Sequence, residues 1–252
     1  MIFSRRTAVL SLAALLLPAA TLAQPTRTYA ILSLCADKLD IVSGQMSTGS
    51  HMDRNIHQVL DLNDDGLEIV AVQAAEAAIK QAQPQAAPDL FVTRSATAYA
   101  AAELPPSVSN DASDVLDGLK AVVAQTGASH LLLITKNRDD ARMELADSTT
   151  GMGKVKGLGF FIDNNKELVM QDSKEFRTGY VAAFASLRFR LIDLKGRKTV
   201  ASDTVQITKV YPTPSGTFKA WDGLTAADKV SALQRVLREA VGDGVSRLLA
   251  KP

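Results

Sequence analysis

The sequence contains almost no cysteine and almost no net charge. Its single cysteine, Cys35, cannot form a disulfide within the chain, so the fold must be stabilised by its core alone. Because Cys35 lies in an apolar, strand-like run, we expect a buried and unreactive thiol. The formal net charge of the 252 residues is only +1. A nearly neutral chain has little electrostatic attraction for nucleic acid or anionic lipid, and we expect neither as a partner.

The sequence also lacks the motifs of common hydrolases and nucleotide-binding proteins. It contains no G-x-S-x-G, the motif that presents a hydrolase nucleophile. Residues 148–155 (STTGMGKV) match a phosphate-binding loop only in part, because Ser148 replaces its first glycine and Val155 replaces its magnesium-binding Ser or Thr. We interpret these glycines as structural and predict no catalytic and no cofactor-binding residues.

The N-terminus has the features of a cleaved export signal. Arg5 and Arg6 precede an apolar run at residues 8–17, and residues 21–23 (TLA) place small side chains before a cleavage point. The apolar run is too short to anchor the chain across a bilayer. We therefore predict a signal peptide at residues 1–23, a periplasmic location and a mature chain without a transmembrane segment. The paired arginines also resemble a twin-arginine signal, so both that route and general secretion remain open.

Residues 180–211 are the stretch around which the rest of the mature chain is predicted to fold. Apolar and polar side chains alternate along two long strands, which is typical of a half-buried hairpin. Residues 195–198 form the turn between them, with Gly196 expected at positive φ. One hairpin is only marginally stable by itself, so its apolar face needs a covering layer.

Three main helices are predicted to supply that layer. They span residues 64–83, residues 111–126, and the chain from Thr225 onward, and each has one apolar stripe. We expect all three on the sheet face that bears Leu132, Leu187 and Val205. Residues 24–252 are thus predicted to form a single periplasmic α/β (α+β) domain with a mixed β-sheet and a long C-terminal hairpin.

Shorter apolar runs predict the remaining strands. Residues 29–34 and 39–43 are expected to pair as a hairpin around residues 36–38, and residues 129–135 are expected to form a central strand covered on both faces. Residues 147–179 are rich in glycine and in polar side chains. We interpret this region as a partly mobile excursion between two strands of the sheet.

The strand at residues 128–134 (ASHLLLI) and the hairpin at residues 186–198 (SLRFRLIDLKGRK) together resemble a known family. The pattern is similar to the periplasmic domain of curli-secretion CsgG-type proteins and related outer-membrane-associated accessory domains. This resemblance implies a similar fold, a role in the cell envelope and no catalytic residues. It does not imply a pore, because the sequence shows neither a lipidation site nor long membrane hairpins. A secreted proteobacterial protein of another family is equally consistent with the pattern.

Asp61, Asn63 and Asp65 form the sharpest local motif. Residues 61–66 (DLNDDG) match the first half of an EF-hand loop, whose oxygens at positions 1, 3 and 5 bind calcium. The twelfth position is Val72 instead of the usual glutamate, so the closing ligand is missing. The alternative interpretation is a turn that caps the following helix. We predict a calcium site only as one alternative, to which His51 and His57 could add ligands.

These observations favour a non-catalytic periplasmic cell-envelope protein that acts as a protein-binding accessory module. The alternative is a calcium-dependent periplasmic enzyme or sensor that uses residues 51–65. A calcium titration distinguishes the two, because specific binding raises the melting temperature by mass action. Arg188 and Arg190, on one strand face, could bind an anion or could form a solvated sheet face.

Overall fold

A computed structural model describes residues 27–45, 53–105, 109–145, 148–169, 175–217 and 219–251. Its strands are β1 (Tyr29–Leu34), β2 (Lys38–Ser43), β3 (Ile56–Asp61), β4 (Asp89–Phe91), β5 (His130–Lys136), β6 (Arg138–Asp140), β7 (Met143–Glu144), β8 (Thr149–Thr150), β9 (Lys154–Val169), β10 (Phe176–Asp193) and β11 (Lys198–Pro212). Its helices are α1 (Gly66–Ala82), α2 (Ala96–Ala102), α3 (Ser113–Gly118), α4 (Lys120–Val123) and α5 (Ala226–Leu249). The predicted mixed α+β fold with a long C-terminal hairpin is confirmed. The predicted signal peptide at residues 1–23 lies outside the described residues.

The nine-stranded sheet is organised around the long hairpin of β10 and β11. The other edge of β10 is shared by two strands that lie end to end, since residues 176–186 pair with β9 and residues 187–193 pair with β5. In the next row, β2 pairs in parallel with β9 and β1 pairs in parallel with β5. The outermost row contains β3 beside β2 and β4 beside β1. We call these the β9 half (β9, β2, β3) and the β5 half (β5, β1, β4).

The hairpin predicted around residues 36–38 is wrong. Strands β1 and β2 do not pair with each other, and residues 35–37 instead carry the chain from the β5 half into the β9 half. The buried Glu68 carboxylate accepts the Ala36 backbone N–H at 2.7 Å and so satisfies a donor at this crossing. An apolar run on both strands is better accommodated inside a sheet, between two neighbours, than in an isolated hairpin.

The excursion predicted at residues 147–179 is also corrected. Most of this stretch forms β9, a central strand between β2 and β10, and the start of β10. A Cβ at Gly159 would lie 1.8 Å from the Asp40 carbonyl oxygen, so the glycine permits close strand packing. Gly159, one of the glycines that suggested mobility in the sequence, therefore marks a close approach of two backbones.

Helices α1 and α5 cover one face of the sheet across both halves. Their core contains Leu132, Leu187 and Val205, as predicted. Helix α5 begins with a capping box between Thr225 and Asp228, which confirms its predicted start. No helix in the described part of the chain is long and apolar enough to cross a membrane.

The opposite face has two separate covers. Over the β5 half, α2, α3 and α4 pack on a core that includes Leu131, Leu133 and Ile192. Over the β9 half, the segment that contains β6, β7 and β8 packs on Val42, Phe161 and other apolar side chains. The predicted helix at residues 111–126 is therefore split into α3 and α4, and it lies on the face opposite to the one expected.

The turn of the long hairpin differs from the prediction in one residue. Arg197, at φ 51°, adopts the left-handed conformation, and Gly196 does not. A Cβ at Gly196 would lie 2.5 Å from the Asp193 Oδ2 atom, while Asp193 Oδ1 accepts the Lys195 backbone N–H at 3.0 Å. A larger residue at this position would have to displace the Asp193 carboxylate, so the glycine accommodates the aspartate that folds over the turn and not a positive φ.

Candidate functional site

A crevice of about 710 Å³ opens between the two covers of the same sheet face. Its walls come from the start of β2, from β3, from α2, and from the strands β6 and β9 where they leave the sheet. Helix α2 belongs to the cover of the β5 half. Strand β6 belongs to the cover of the β9 half, and β3 is the edge strand of that half. The crevice is thus a direct result of covering one continuous sheet with two separate units.

One wall of the crevice holds His57 between two carboxylates. The His57 Nδ1 atom lies 3.0 Å from Asp40 Oδ1, and His57 Nε2 lies 3.4 Å from Asp53 Oδ2. Asp53 is itself fixed, because its carboxylate accepts the backbone N–H groups of Asn55 and Lys154. With a carboxylate at each ring nitrogen, the orientation of the imidazole in the wall of the crevice is fixed.

The opposite wall is built by Lys136, Asp37 and Tyr99. Lys136 forms an ion pair with Asp37 and lies 6.0 Å from the centre of the Tyr99 ring. The Tyr99 hydroxyl donates a hydrogen bond of 2.8 Å to Glu68 Oε1. Burial, together with the Glu68 carboxylate, raises the pKa of Tyr99 well above its ordinary value, so the phenol remains protonated and acts as a donor.

An inner cavity of about 200 Å³ adjoins the crevice beneath α2. Four cationic side chains line it, namely Lys136, Arg138, Lys156 and Arg188, together with one carboxylate, Glu103. Lys156 Nζ lies 2.6 Å from Glu103 Oε2, and Arg188 Nη2 donates to Asn137 Oδ1 at 3.2 Å. Lys136 is paired with Asp37, as described above, and Arg138 Nη2 lies 3.7 Å from Asp53 Oδ2, so three of the four cations have a carboxylate partner.

Arg190 lies behind this cavity and is only 3% exposed. Its Nη2 atom donates to the Ala102 carbonyl at 3.4 Å, and its Nε atom has no partner among the described residues. Burial, with a smaller contribution from the neighbouring Arg188, lowers the pKa of Arg190 to about 10. No described carboxylate lies within 4.0 Å of either arginine. The solvated sheet face that the sequence allowed is therefore corrected for Arg190.

The sequence gives only a partial signal for this arrangement. Alternation along β10 places Arg188 and Arg190 on one face, but it does not show that α2 covers them. Lys136, Lys156 and Glu103 were not identified from the sequence, because the strand division that brings them together depends on pairing between distant segments.

Cys35 is buried and free, as predicted. Burial, followed in importance by the charge of Glu68, raises the pKa of the Cys35 thiol well above its ordinary value. Its sulfur lies 3.2 Å from the Ser33 hydroxyl and 3.8 Å from Glu68 Oε2. A protonated, enclosed thiol is a poor nucleophile, and this agrees with a structural role.

The predicted calcium ligands lie in the connection from β3 to α1. Asp61 Oδ1 lies 3.6 Å from Lys38 Nζ, and Asp65 Oδ1 lies 2.6 Å from Arg94 Nε. The Asn63 side chain is exposed. Within the described ranges, no group of three or more His, Cys, Asp or Glu side chains is arranged to hold a metal ion. His51 lies outside the described residues, and the calcium site at Asp61, Asn63 and Asp65 stays a prediction.

Strand β3 forms the outer rim of the crevice and the edge of the β9 half. All six of its side chains are exposed, including Ile56 at 61%, Val59 at 57% and Leu60 at 40%. On its inner side β3 pairs with β2 over its full length without a register shift. No described strand pairs with its outer side. The strand therefore presents both apolar side chains and backbone hydrogen-bonding groups at the sheet edge.

No model of a known protein family matches the chain, and no curated protein matches it in sequence. Among solved structures, it is similar to a protein of family DUF330 from Xanthomonas campestris (13% identity, 88% of this chain and 84% of that chain, TM-score 0.39). It is also similar to a neuraminyllactose-binding hemagglutinin homologue from Helicobacter pylori (8% identity, 89% and 84% covered, TM-score 0.37). A third similar structure is a hypothetical protein from Chlamydia trachomatis (11% identity, 88% and 99% covered, TM-score 0.32). None of these similarities assigns a family, and the resemblance to CsgG-type proteins stays a prediction.

Proposed function

We propose that this protein is a non-catalytic module of the bacterial cell envelope that binds a partner protein at the edge of β3. The observation that carries the proposal is the edge strand itself, six residues long and exposed along its whole length. An extended segment of a partner can add a strand to such an edge through main-chain hydrogen bonds. Ile56, Val59 and Leu60 then supply apolar contacts on both faces of the added strand.

The composition of β3 supports this use of the edge. Exposed edge strands are usually protected from pairing by lysine, by proline or by a bulge. The segment IHQVLD contains neither lysine nor proline, and its pairing with β2 has no irregularity. The only charged residue on the strand is Asp61, at its last position. The edge is therefore suited to pairing instead of being protected against it.

The arrangement of the crevice supports a non-catalytic role. A nucleophile needs a neighbouring base that is free to accept its proton. His57 is held between Asp40 and Asp53, and Lys136 is paired with Asp37. Among the described residues that line the crevice, none is serine, threonine or cysteine. The polar groups present are thus arranged for holding and positioning, which fits a binding module.

The location in the proposal depends on the sequence. The signal predicted at residues 1–23 leads to the periplasm, where a partner would be another envelope protein. A single cysteine without a disulfide is compatible with that compartment, because the large buried core of the sheet stabilises the fold by itself.

Affinity capture from envelope extracts followed by hydrogen exchange tests the proposal. A partner purified in this way is recombined with the wild-type protein, and amide protection is measured along the chain. We expect new protection at residues 56–61 and loss of binding in Val59→Lys. Val230→Lys is the matched control, because Val230 is 52% exposed but lies on α5. Absence of any specific partner, or unchanged binding by Val59→Lys without protection of β3, would overturn the proposal.

A further inference from the structure

We infer that the protein forms a symmetric dimer in which the free edge of β11 pairs antiparallel with β11 of a second copy. This strand is the edge of the sheet opposite to the one that holds β3, so the inference does not depend on the partner proposed for β3. It rests on the backbone groups that β11 directs outward, on the order of charges along the strand and on one enclosed amide group.

The backbone of β11 directs a row of hydrogen-bonding groups away from the sheet. The Thr213 N–H donates to the Gly179 carbonyl, and bonds between antiparallel strands recur at every second residue, so the odd-numbered residues of β11 bond to β10. In agreement, the Ser186 carbonyl of β10 accepts the Asn137 N–H on the other side of the strand. The even-numbered residues of the segment 202–210 therefore present their N–H and C=O groups at the sheet edge.

Side chains of the same chain satisfy only one end of this edge. Lys251 Nζ donates to the Ser202 carbonyl at 2.6 Å, and Asp203 Oδ1 accepts the Thr204 N–H at 3.0 Å. Farther along, at residues 206–210, the outward backbone groups have no partner in the described part of the chain, and no described strand pairs with them. A second strand would satisfy these groups and would replace the two side-chain contacts.

The order of charges along β11 matches a second copy of the same strand. In a two-fold arrangement, each residue meets the residue at the same distance on the other side of the axis. With Gln206 on the axis, Asp203 lies opposite Lys209 of the second copy, and this pair of opposite charges occurs twice. The other pairs in this register also match in character, namely Val205 with Ile207, Thr204 with Thr208, and Ala201 with Tyr211.

The neighbouring registers lose this match. With the axis at Val205, Asp203 lies opposite Ile207, and with the axis at Ile207, Lys209 lies opposite Val205. A lysine on an edge strand usually prevents pairing, because its charge would be placed against an unsuitable neighbour. Lys209 therefore acts against the other registers, and it has a carboxylate opposite to it in the register centred on Gln206.

Gln206 provides an independent observation. Its Nε2 atom is enclosed and has no hydrogen-bond partner among the described residues. An enclosed donor without an acceptor destabilises a fold, so it requires an explanation. On the two-fold axis, the Gln206 side chain lies beside the same side chain of the second copy, and each amide group can donate to the carboxamide oxygen of the other.

The length of the edge sets the strength of the dimer. The paired segment, residues 202–210, spans about 30 Å and forms about ten main-chain hydrogen bonds. A contact of one strand on another is smaller than the roughly 800 Å² per partner that stable complexes bury. We therefore expect a weak dimer with a dissociation constant of about 10–100 μM, and we expect salt to weaken it because of the two Asp203–Lys209 pairs.

Sedimentation velocity of the purified protein between about 5 and 500 μM tests the inference by charge reversal. Asp203→Lys places lysines opposite each other, Lys209→Asp places carboxylates opposite each other, and each should weaken association at least about tenfold. The double variant, with both substitutions, restores the opposite charges and should recover the wild-type affinity within about threefold. Asp222→Lys is the matched control, because Asp222 is exposed and lies outside the sheet, and it should stay within about twofold of the wild type.

Hydrogen exchange at low and at high protein concentration locates the interface. We expect protection at residues 204–210 to increase with concentration, and protection at residues 56–61 of β3 to stay unchanged. Lys251→Ala removes the side chain that competes for the Ser202 carbonyl, so it should tighten association about twofold to fivefold.

The inference would be overturned by a monomer at every concentration up to about 500 μM, or by an association that protects β3 instead of β11. It would also be overturned if the single charge reversals had no effect or if the double variant did not recover the affinity, since the charges would then not face each other. Unchanged or weaker association in Lys251→Ala would exclude the register, because Ser202 lies within the paired segment.

Discussion

The two halves of the sheet share the strand β10 but differ in what covers them. In the β5 half, helices pack on both faces, and all six side chains of β1 are buried. In the β9 half, helices cover one face, a short segment with β6, β7 and β8 covers the other, and all six side chains of β3 are exposed. Two strands of six residues thus differ in their use: β1 (YAILSL) belongs to the core, whereas β3 (IHQVLD), with three polar or charged residues, lies at the surface.

The difference shows where a binding site arises in this fold. A sheet covered by one continuous layer has no gap, whereas two separate covers leave one along their boundary. That boundary lies above the point where β10 changes its partner from β5 to β9. Lys136, Gly157 and Ser186 meet there, and so the charged crevice follows from the topology.

The largest expected effect separates the two halves directly. Leu133→Ala removes a fully buried side chain beneath α3 and is expected to lower the free energy of unfolding by about 2–5 kcal/mol. Val59→Ala, on the exposed edge of the β9 half, is expected to change it by less than about 0.5 kcal/mol. Urea unfolding measures both. Similar losses for the two variants would show that the β9 edge is as firmly packed as the core of the β5 half.

A second comparison uses two glycines of helix α5. A Cβ at Gly244 would lie 2.2 Å from the Phe189 ring, whereas no atom of the described residues lies within 4 Å of a Cβ at Gly242. Gly244→Ala should therefore cost about 1–3 kcal/mol through overpacking against Phe189 of β10, beside the β5 half. Gly242→Ala should instead stabilise the helix by up to about 1 kcal/mol. Thermal unfolding of the two variants decides this, and a stable Gly244→Ala would contradict the close helix–sheet contact.

A third prediction concerns Arg190, which lies on β10, the strand that the two halves share. Arg190→Met replaces a buried guanidinium that has no described carboxylate partner, and we expect it to raise the free energy of unfolding by about 1 kcal/mol. Burial lowers the pKa of Arg190 to about 10, so the charged form is the one that folding disfavours. Its cost is present at every pH below that value, and the gain in Arg190→Met should be constant between about pH 5 and 9.

Arg235→Met, at an exposed position of α5, is the control for this substitution and should change stability by less than about 0.5 kcal/mol. A clear loss of stability in Arg190→Met would contradict this expectation, because it would mean that the buried guanidinium stabilises the fold.

The sequence was sufficient for the elements that depend on local patterns. The period of α1, the capping residues Thr225 and Asp228 of α5 and the alternation of β10 and β11 all identified their elements within a few residues. β9 was missed because its glycines and its polar C-terminal end are also typical of a loop. Gly159 is explained only by the approach of Asp40 from a strand about 120 residues earlier, which local periodicity does not report.

The candidate sites divide in the same way. A contiguous motif such as residues 61–66 is visible in any sequence, yet the structure pairs Asp61 and Asp65 with cations. The cavity beneath α2 takes its four cationic side chains from four strands, and only Arg188 among them was identified from the sequence. A site at the boundary between the two halves is assembled when strands that are distant in the sequence pair with each other. The sequence shows which charged residues are present, but it does not show that they lie close together.

The smallest expected effect concerns the N-terminal end of α5, which lies on the side of the β9 half. The Thr225 hydroxyl accepts the Asp228 backbone N–H at 3.1 Å and donates to Asp228 Oδ2 at 2.6 Å. Thr225→Ala should therefore cost about 1 kcal/mol at pH 7.

The stabilisation by this cap should depend on pH. The hydrogen bonds from Thr225 hold the pKa of Asp228 below its ordinary value. The stabilisation is therefore present at pH values above the ordinary pKa of an aspartate, and it is lost as the pH falls through the lowered pKa. The cost of Thr225→Ala, measured by urea unfolding, should accordingly be smaller at about pH 2.5 than at pH 7. Because Gly244→Ala acts through packing at the other end of the same helix, its cost should not depend on pH, and a parallel decrease in both variants would mean that the two ends of α5 are not independent.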